Sequence, residues 1–189
     1  MKQQEAIKKG VTYAAFGCLV LHLHFNINTI DLLPNFLAYI LFLLAINNLK
    51  GENRDFNLLV PLGTLLVGWN LAHWLLNLFG ISIEGELPIL GAFITAVDLY
   101  FCFQFFTDLA LLAERMQRED QNLSGSICGC RNILTVTTTM MALPLGLLLK
   151  EEQILWILTP VLVIGLGAAL VLTVKLFSLK KLAEAMPDQ

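Results

Sequence analysis

Five polar residues stand inside apolar stretches of this sequence, and their types and spacing could support chemistry. They are His22, Asn70, His73, Asn77 and Asp98. A carboxylic acid and two imidazoles held close together can relay protons, bind a cation or hold a polar solute. The asparagine amides can add hydrogen-bond donors and acceptors to such a cluster. The sequence therefore predicts a polar cluster that transfers protons or binds a small polar ligand.

The spacing of these residues indicates how helices would position them. Asn70, His73 and Asn77 follow one another at i, i+3 and i+7, so they share one face of a helix. With a rise of about 1.5 Å per residue, the two histidines and Asp98 fall at similar depths on the outer side of their helix midpoints. An ionised Asp at the centre of a membrane-spanning helix costs about 2.5–3.5 kcal/mol on insertion scales. We therefore expect Asp98 and His73 to approach one another on facing helices.

The same residues also have a purely structural interpretation. Asn and His side chains bridge helices in lipid, at about 0.6–2 kcal/mol each, and a protonated Asp98 can donate to a backbone carbonyl. Asp108, ten residues further along, can approach the inner interface and needs less explanation. The sequence leaves open whether the cluster is functional or only holds the helices together.

The composition places these residues in a membrane protein. Of the 189 residues, 57% are hydrophobic and only 14% are charged, and the mean hydropathy is +0.71. Soluble domains average about 45–50% apolar and about 25% charged residues. A lipid bilayer is therefore the expected partner of this surface. The net charge of −3 and the lack of a basic stretch with interleaved aromatics predict that nucleic acid is not a partner.

Six apolar runs approach or reach the roughly 20 residues that a helix needs to cross a bilayer. They cover residues 10–26, 32–49, 56–79, 87–113, 128–149 and 153–177. The sequence thus predicts an all-α fold: a polytopic helix bundle of six transmembrane helices in three hairpins, forming one domain over residues 1–189. The inner loop 114–129 is predicted to be a flexible connector, and the tail 180–189 to extend the last helix or fray.

The positions of Lys and Arg predict the orientation of these spans. With six spans, eleven of the twelve Lys and Arg residues fall on the side of the N-terminus, and only Lys150 falls on the other. Basic residues accumulate on the cytoplasmic side of membrane proteins. Both the N-terminus and the C-terminus are therefore predicted to be cytoplasmic.

Two segments of the sequence resemble each other. Residues 27–40 and 81–94, aligned at Pro34 and Pro88, match at several apolar positions with an offset of 54 residues. Both segments place proline at the start of an inward-running helix, where its missing N–H is not needed. A parallel repeat of helix hairpins, as in some transporters, would explain the match, and so would the shared requirements of a helix start.

The segment Asn26–Ile40 reads NINTIDLLPNFLAYI and is followed by an apolar helix and a polar turn. Over residues 26–50 the chain resembles the opening hairpin of a family of small polytopic membrane proteins from Gram-positive, clostridia-like bacteria. That family has no assigned activity. The resemblance implies a location in the bacterial cytoplasmic membrane and implies no particular chemistry.

Catalytic and metal sites are not predicted. Cys128 and Cys130 form a C-x-C pair, whereas zinc sites usually have two-residue gaps and further Cys or His ligands. The sequence contains no nucleophile elbow, HExxH or Walker motif, and we expect no catalytic residues and no cofactor.

Three functions are compatible with these features. The first is a small carrier for a solute, or for a cation coupled to protons, or a subunit of such a carrier. The second is a non-catalytic scaffold or accessory subunit of a larger membrane complex, and an embedded enzyme ranks third. Because six helices barely enclose a pathway, we expect a homo-oligomer or a partner membrane subunit.

Overall fold

The computed structural model describes residues 2–23, 26–27, 30–31, 34–53, 55–80, 88–117, 122–143 and 151–185. Six helices account for nearly all of these residues, which confirms the all-α class. They are α1 Lys2–His22, α2 Asn35–Leu49, α3 Asp55–Leu78, α4 Pro88–Met116, α5 Leu123–Ala142 and α6 Glu151–Ala185. Two short strands, β1 Asn26–Ile27 and β2 Ile30–Asp31, pair antiparallel between α1 and α2, with Asn26 opposite Asp31.

Each of the six predicted spans corresponds to one helix, with differences at the ends. The prolines of the two similar segments do stand at helix starts: Pro34 immediately precedes α2, and Pro88 is the first residue of α4. The first span was predicted to reach residue 26, whereas α1 ends at His22 and β1 follows.

The prediction of a flexible connector over residues 114–129 is wrong for most of that segment. The fourth helix continues to Met116 and the fifth begins at Leu123. Two side chains satisfy the first backbone N–H groups of α5: the amide oxygen of Gln117 accepts from Leu123 N at 2.8 Å, and that of Asn122 accepts from Gly125 N at 3.2 Å. Capping of this kind stabilises a helix start even in a polar sequence. Residues 118–121 lie outside the described part of the chain.

Three of the helices are long and apolar enough to cross a membrane. The qualifying segments are Phe56–Leu78, Ile89–Met116 and Glu152–Ala185. The second helix is apolar but has only 15 residues, which at about 1.5 Å per residue span less than the roughly 30 Å of a hydrocarbon core. Charged side chains at the start of α1 and hydroxyl side chains in α5 lower the hydropathy of those two helices.

The helices form a ring. Each helix packs against its neighbours in the sequence, and α6 returns to pack against α1. The amide of Gln4 donates to the backbone oxygen of Ala183 at 2.8 Å, so the first and last helices meet where the described chain begins and ends. Arg115 at the end of α4 donates to the backbone oxygen of Glu52 at 3.0 Å. We call this side of the ring, which carries both chain ends, the terminal end.

An aromatic cluster fills the ring between α2, α3 and α4. Its members are fully buried or nearly so: Phe42, Phe56, Phe101, Phe105 and Phe106. The ring centroids of Phe42 and Phe105 lie 4.9 Å apart, and the rings of Phe101 and Phe105 are stacked at 5.9 Å. Phe101 and Phe105 are one helical turn apart, so they reach the same interior.

Close packing of α1 on α2 depends on two glycines spaced seven residues apart. A Cβ atom added at Gly17 would lie 2.7 Å from the ring of Phe42 and 3.2 Å from the backbone oxygen of Ala38. One added at Gly10 would lie 2.5 Å from the side chain of Leu49. The absence of side chains at these two positions therefore sets the distance between the helices.

We expect Gly17→Ala to destabilise the protein by about 1–3 kcal/mol, because the added methyl group overpacks the α1–α2 contact. The measurement is the melting temperature of the purified protein in detergent. Gly68→Ala is the matched control, since nothing lies within 4 Å of a Cβ at that helical position. The control should be neutral or gain up to about 1 kcal/mol from helix propensity. Equal effects of both substitutions would contradict the close contact.

Candidate functional site

A partly open cavity of about 370 Å³ lies within the ring, and all six helices contribute to its lining. Small-molecule sites usually occupy about 300–1,000 Å³ and place a few polar groups among apolar ones. The polar side chains that matter here are His22, Asn35, Tyr39, Asn70, Asp98 and Arg131. Trp69, Phe103 and Phe106 contribute aromatic surface to the same lining. The cavity is therefore the part of the fold best suited to hold a small molecule.

Asp98 is held in place across the helix interface by Tyr39. The tyrosine hydroxyl donates to Asp98 Oδ1 at 2.5 Å, and the thiol of Cys102, one turn along α4, donates to the same oxygen at 3.4 Å. Tyr39 is only 2% exposed and packs edge-on against Phe42 and Phe101. Among the described residues no hydrogen bond reaches the other oxygen, Oδ2, although Asp98 lines the cavity. This second oxygen remains available to a ligand.

His22 joins Asp98 at the cavity from the end of α1. Its Nδ1 lies 2.9 Å from the backbone oxygen of Cys18, one turn earlier. A carbonyl oxygen only accepts hydrogen bonds, so Nδ1 carries the proton and Nε2 is the nitrogen that can exchange protons. The imidazole lies within electrostatic range of the Asp98 carboxyl group.

The polar face predicted on α3 divides in the structure. Asn70 lines the cavity and donates to the backbone oxygen of Leu66 at 2.8 Å. His73 and Asn77 are not among the described residues of the cavity lining, and their side chains lie 3.4 Å apart, one turn from each other. Residues at i, i+3 and i+7 share a face but extend over about 10 Å of helix, so only the first of them is at the depth of the cavity.

The structure therefore brings together His22, Asn70 and Asp98 of the five predicted residues. The hydrogen bonds described for Asp98 come from Tyr39 and Cys102, where the sequence had predicted His73 as the partner. Helix spacing alone could not distinguish these partners, because it does not determine how neighbouring helices are rotated.

Sequence reasoning missed Asn35 and Tyr39 as site residues. They are four residues apart on α2 and therefore share the face that lines the cavity. A signal was present, since these are the only polar side chains of α2 before Asn47 and Asn48 near its end. His73 and Asn77 of α3, which were predicted to share a face, have the same i, i+4 spacing.

Arg131 also lines the cavity. It was counted among the basic residues on the side of the N-terminus, and it stands in the third turn of α5. Its Nη1 donates to the hydroxyl of Thr107 at 2.7 Å, and its guanidinium carbon lies 4.2 Å from the centre of the Phe103 ring. The remaining described donors, Nε and Nη2, both reach the amide oxygen of Asn132. All three guanidinium nitrogens thus have an acceptor in their own surroundings.

Asp108 lies outside the cavity lining and is fully buried. Its Oδ1 accepts from the amide of Gln104 at 2.9 Å and from that of Asn53 at 3.4 Å. Burial of a carboxyl group requires such partners. This residue links α4 to the segment between α2 and α3 near the terminal end.

The cysteine pair Cys128 and Cys130 lies within α5, where both thiols are free. Residues two apart in a helix point in different directions. Within the described ranges, no group of three or more His, Cys, Asp or Glu side chains is placed to hold a metal ion.

No protein-family model matches this chain, and the curated proteins and solved structures contain no match to it either. The assignment of a function therefore rests on the geometry of the cavity and on the apolar helices around it.

Proposed function

We propose that this chain is a small membrane carrier, or a subunit of one, that moves a solute or cation in exchange for protons. The observation that carries the proposal is the cavity lined by all six helices, with the free oxygen of Asp98 beside it. Ionisable residues at membrane depth usually face a substrate path, a proton relay or a partner. A cavity of this size next to such a residue favours the substrate path.

The exchange follows from charge balance at Asp98. A protonated Asp98 is neutral, and so is a carboxylate that pairs with one bound cation. Arrival of the cation therefore releases one proton to water, and departure of the cation takes one proton back. Tyr39 can keep its hydrogen bond to Oδ1 in both states, while Oδ2 exchanges its proton for the ligand. Both the protonated and the cation-bound state avoid an uncompensated charge in a medium of low dielectric constant.

The proposal includes six membrane crossings in a bacterial cytoplasmic membrane, with both termini in the cytoplasm. The contact between Gln4 and Ala183 supports an even number of crossings. The basic residues Lys8, Lys9, Lys180 and Lys181 belong to the same two helix ends, as cytoplasmic ends require. The short α2 can be accommodated by local thinning of the bilayer.

This topology predicts that cysteines introduced at Gly85 and Ser124 label from opposite sides. The background lacks the four native cysteines, and the reagent is a thiol probe that does not cross membranes. Gly85 lies outside the described residues, and Ser124 is the second residue of α5. In intact cells, Gly85→Cys should react and Ser124→Cys should react only after the cells are opened. Labelling of Ser124→Cys in intact cells would contradict the topology.

Reconstitution into vesicles tests the carrier itself. Vesicles that contain a pH-sensitive dye are exposed to sodium, potassium or lysine. None of these cations crosses a lipid bilayer readily without a carrier. We expect at least one of them to raise the internal pH when added outside, because cation entry is exchanged for proton exit. Vesicles preloaded with the same cation and diluted into cation-free buffer should show a fall in internal pH, and protein-free vesicles should show neither change. An absence of solute-dependent pH change with all three would contradict proton-coupled exchange.

The alternative is a scaffold or accessory subunit without transport, and one observation favours it. Two carboxyl groups of α4 take part in hydrogen bonds that connect separate segments: Asp98 with Tyr39, and Asp108 with Asn53. Such bonds stabilise helix packing without any ligand. Under either function, exposed apolar side chains such as Val163 and Val174 on α6 would face lipid, a second copy or a partner subunit.

A further inference from the structure

We propose that the ligand of the cavity is a small protonated amine, bound between Asn35 and Asp98. The proposal rests on the proposed binding function of the cavity and adds the chemical class of the ligand. Three observations lead to it. Two oxygens in the lining have no hydrogen-bond donor among the described residues, and aromatic side chains belong to the same lining. Arg131, the one described lining residue that is always positively charged, is held by other groups.

Asn35 and Asp98 both line the cavity. The amide oxygen of Asn35 is buried and has no hydrogen-bond partner among the described residues. Asn35 is one turn from Tyr39 on the same face of α2, and Tyr39 reaches Asp98. Both hydrogen bonds described for Asp98 end on Oδ1, which leaves Oδ2 for another donor. Buried acceptors in folded proteins nearly always have a donor, so this corner of the cavity requires one.

The required donor is cationic. A primary ammonium group carries three N–H donors and no acceptor, and can therefore serve both oxygens at once while it compensates the charge of the carboxylate. A neutral hydroxyl has a single donor and cannot. The rings of Tyr39, Trp69 and Phe106 belong to the same lining, and aromatic faces attract cations further. The remaining apolar lining suits the hydrocarbon part of an amine.

Arg131 does not turn this corner into an anion site. Its described donors are directed to Thr107 and Asn132, and its guanidinium group lies over Phe103. Phe103 and Thr107 are five and nine residues beyond Asp98 on the same helix, about 8 and 14 Å along its axis. The groups that hold the Arg131 guanidinium therefore lie towards the terminal end from Asp98.

Benzylamine binding to the purified full-length chain in detergent tests the proposal by calorimetry. Benzyl alcohol and benzoate are the matched neutral and anionic probes. Benzylamine should bind at least about tenfold more tightly than either, because it alone makes charge-assisted hydrogen bonds to Asp98. Equal binding of benzylamine and benzyl alcohol, or a preference for benzoate, would overturn the proposal.

Two substitutions at Asn35 locate the site. Asn35→Ala should weaken benzylamine binding several-fold and leave benzyl alcohol binding unchanged, whereas Asn35→Asp, which adds a negative charge at the same place, should strengthen it. Asn47→Ala is the matched control on the same helix, because Asn47 is exposed and outside the cavity lining. Normal benzylamine binding by both Asn35 variants would refute the assignment even if an Asp98 variant failed to fold.

The outcomes separate this proposal from the carrier function. Proton exchange that depends on Asp98, together with no preference for benzylamine, would refute the amine ligand and leave the carrier intact. Selective benzylamine binding without any proton exchange would support the site and refute the carrier.

Discussion

Replacing Asp98 by asparagine should abolish solute-coupled proton exchange in vesicles while the protein stays folded. Asparagine has nearly the same shape as aspartate, and its amide oxygen can accept the hydrogen bond that Tyr39 donates to Oδ1 at 2.5 Å. It cannot bind or release a proton, so exchange should fall to the level of protein-free vesicles. The measurements are internal pH and the melting temperature in detergent, the second of which should change little.

Asp98→Leu is the contrasting variant, because leucine leaves the buried hydroxyl of Tyr39 without an acceptor. We expect a loss of about 1–3 kcal/mol of stability. The double variant Asp98→Leu/Tyr39→Phe should recover part of this loss, since it removes both partners of the bond. If Asp98→Asn left exchange at the wild-type rate, Asp98 would be a packing residue and the accessory-subunit alternative would be favoured.

Truncation of the aromatic cluster should have the largest effect on stability. We expect Phe105→Ala to lower the free energy of unfolding by about 3–5 kcal/mol, because it deletes a large buried ring and leaves a cavity. Phe105 is fully buried and its ring contacts those of four other phenylalanines: Phe42, Phe56, Phe101 and Phe106. Thermal or denaturant unfolding in detergent provides the measurement.

Phe93→Ala is the matched control for this truncation. It makes the same chemical change on the same helix, but Phe93 is 56% exposed. Its effect should stay below about 1 kcal/mol, as expected of substitutions away from the core. A loss at Phe93 as large as that at Phe105 would show that the buried cluster does not dominate the stability of α4.

The positions of the helices could be predicted because they depend on local sequence. An apolar run of about 20 residues is a sufficient signal for a buried or membrane-spanning helix, and proline at Pro34 and Pro88 marked two helix starts. The start of α5 was missed because its first turns are polar, and their stability comes from caps supplied by Gln117 and Asn122. Capping side chains in a polar stretch are easily read as a loop.

The candidate site was predicted only in part for a related reason. Spacing along a helix determines which residues share a face and how far apart they lie along the axis. It predicted Asp98 and Asn70 as members of a polar cluster, and both line the cavity. It does not determine which neighbouring face each of them meets. Tyr39 lies on α2 and Asp98 on α4, and both helices pack against α3. This arrangement lets the Tyr39 hydroxyl reach Asp98, and nothing in the sequence near Asp98 indicates it.

The sequence by itself determined that this protein is helical and apolar, where its helices lie, and which polar side chains stand inside apolar stretches. Those properties follow from the residue types within one turn or one span. Only the tertiary structure decided that α6 closes the ring on α1 and that polar residues of five helices meet at one cavity. The rotation and approach of each helix depend on its contacts with its neighbours, such as the fit of Gly17 against Phe42. These contacts join residues far apart in the chain, so no local pattern encodes them.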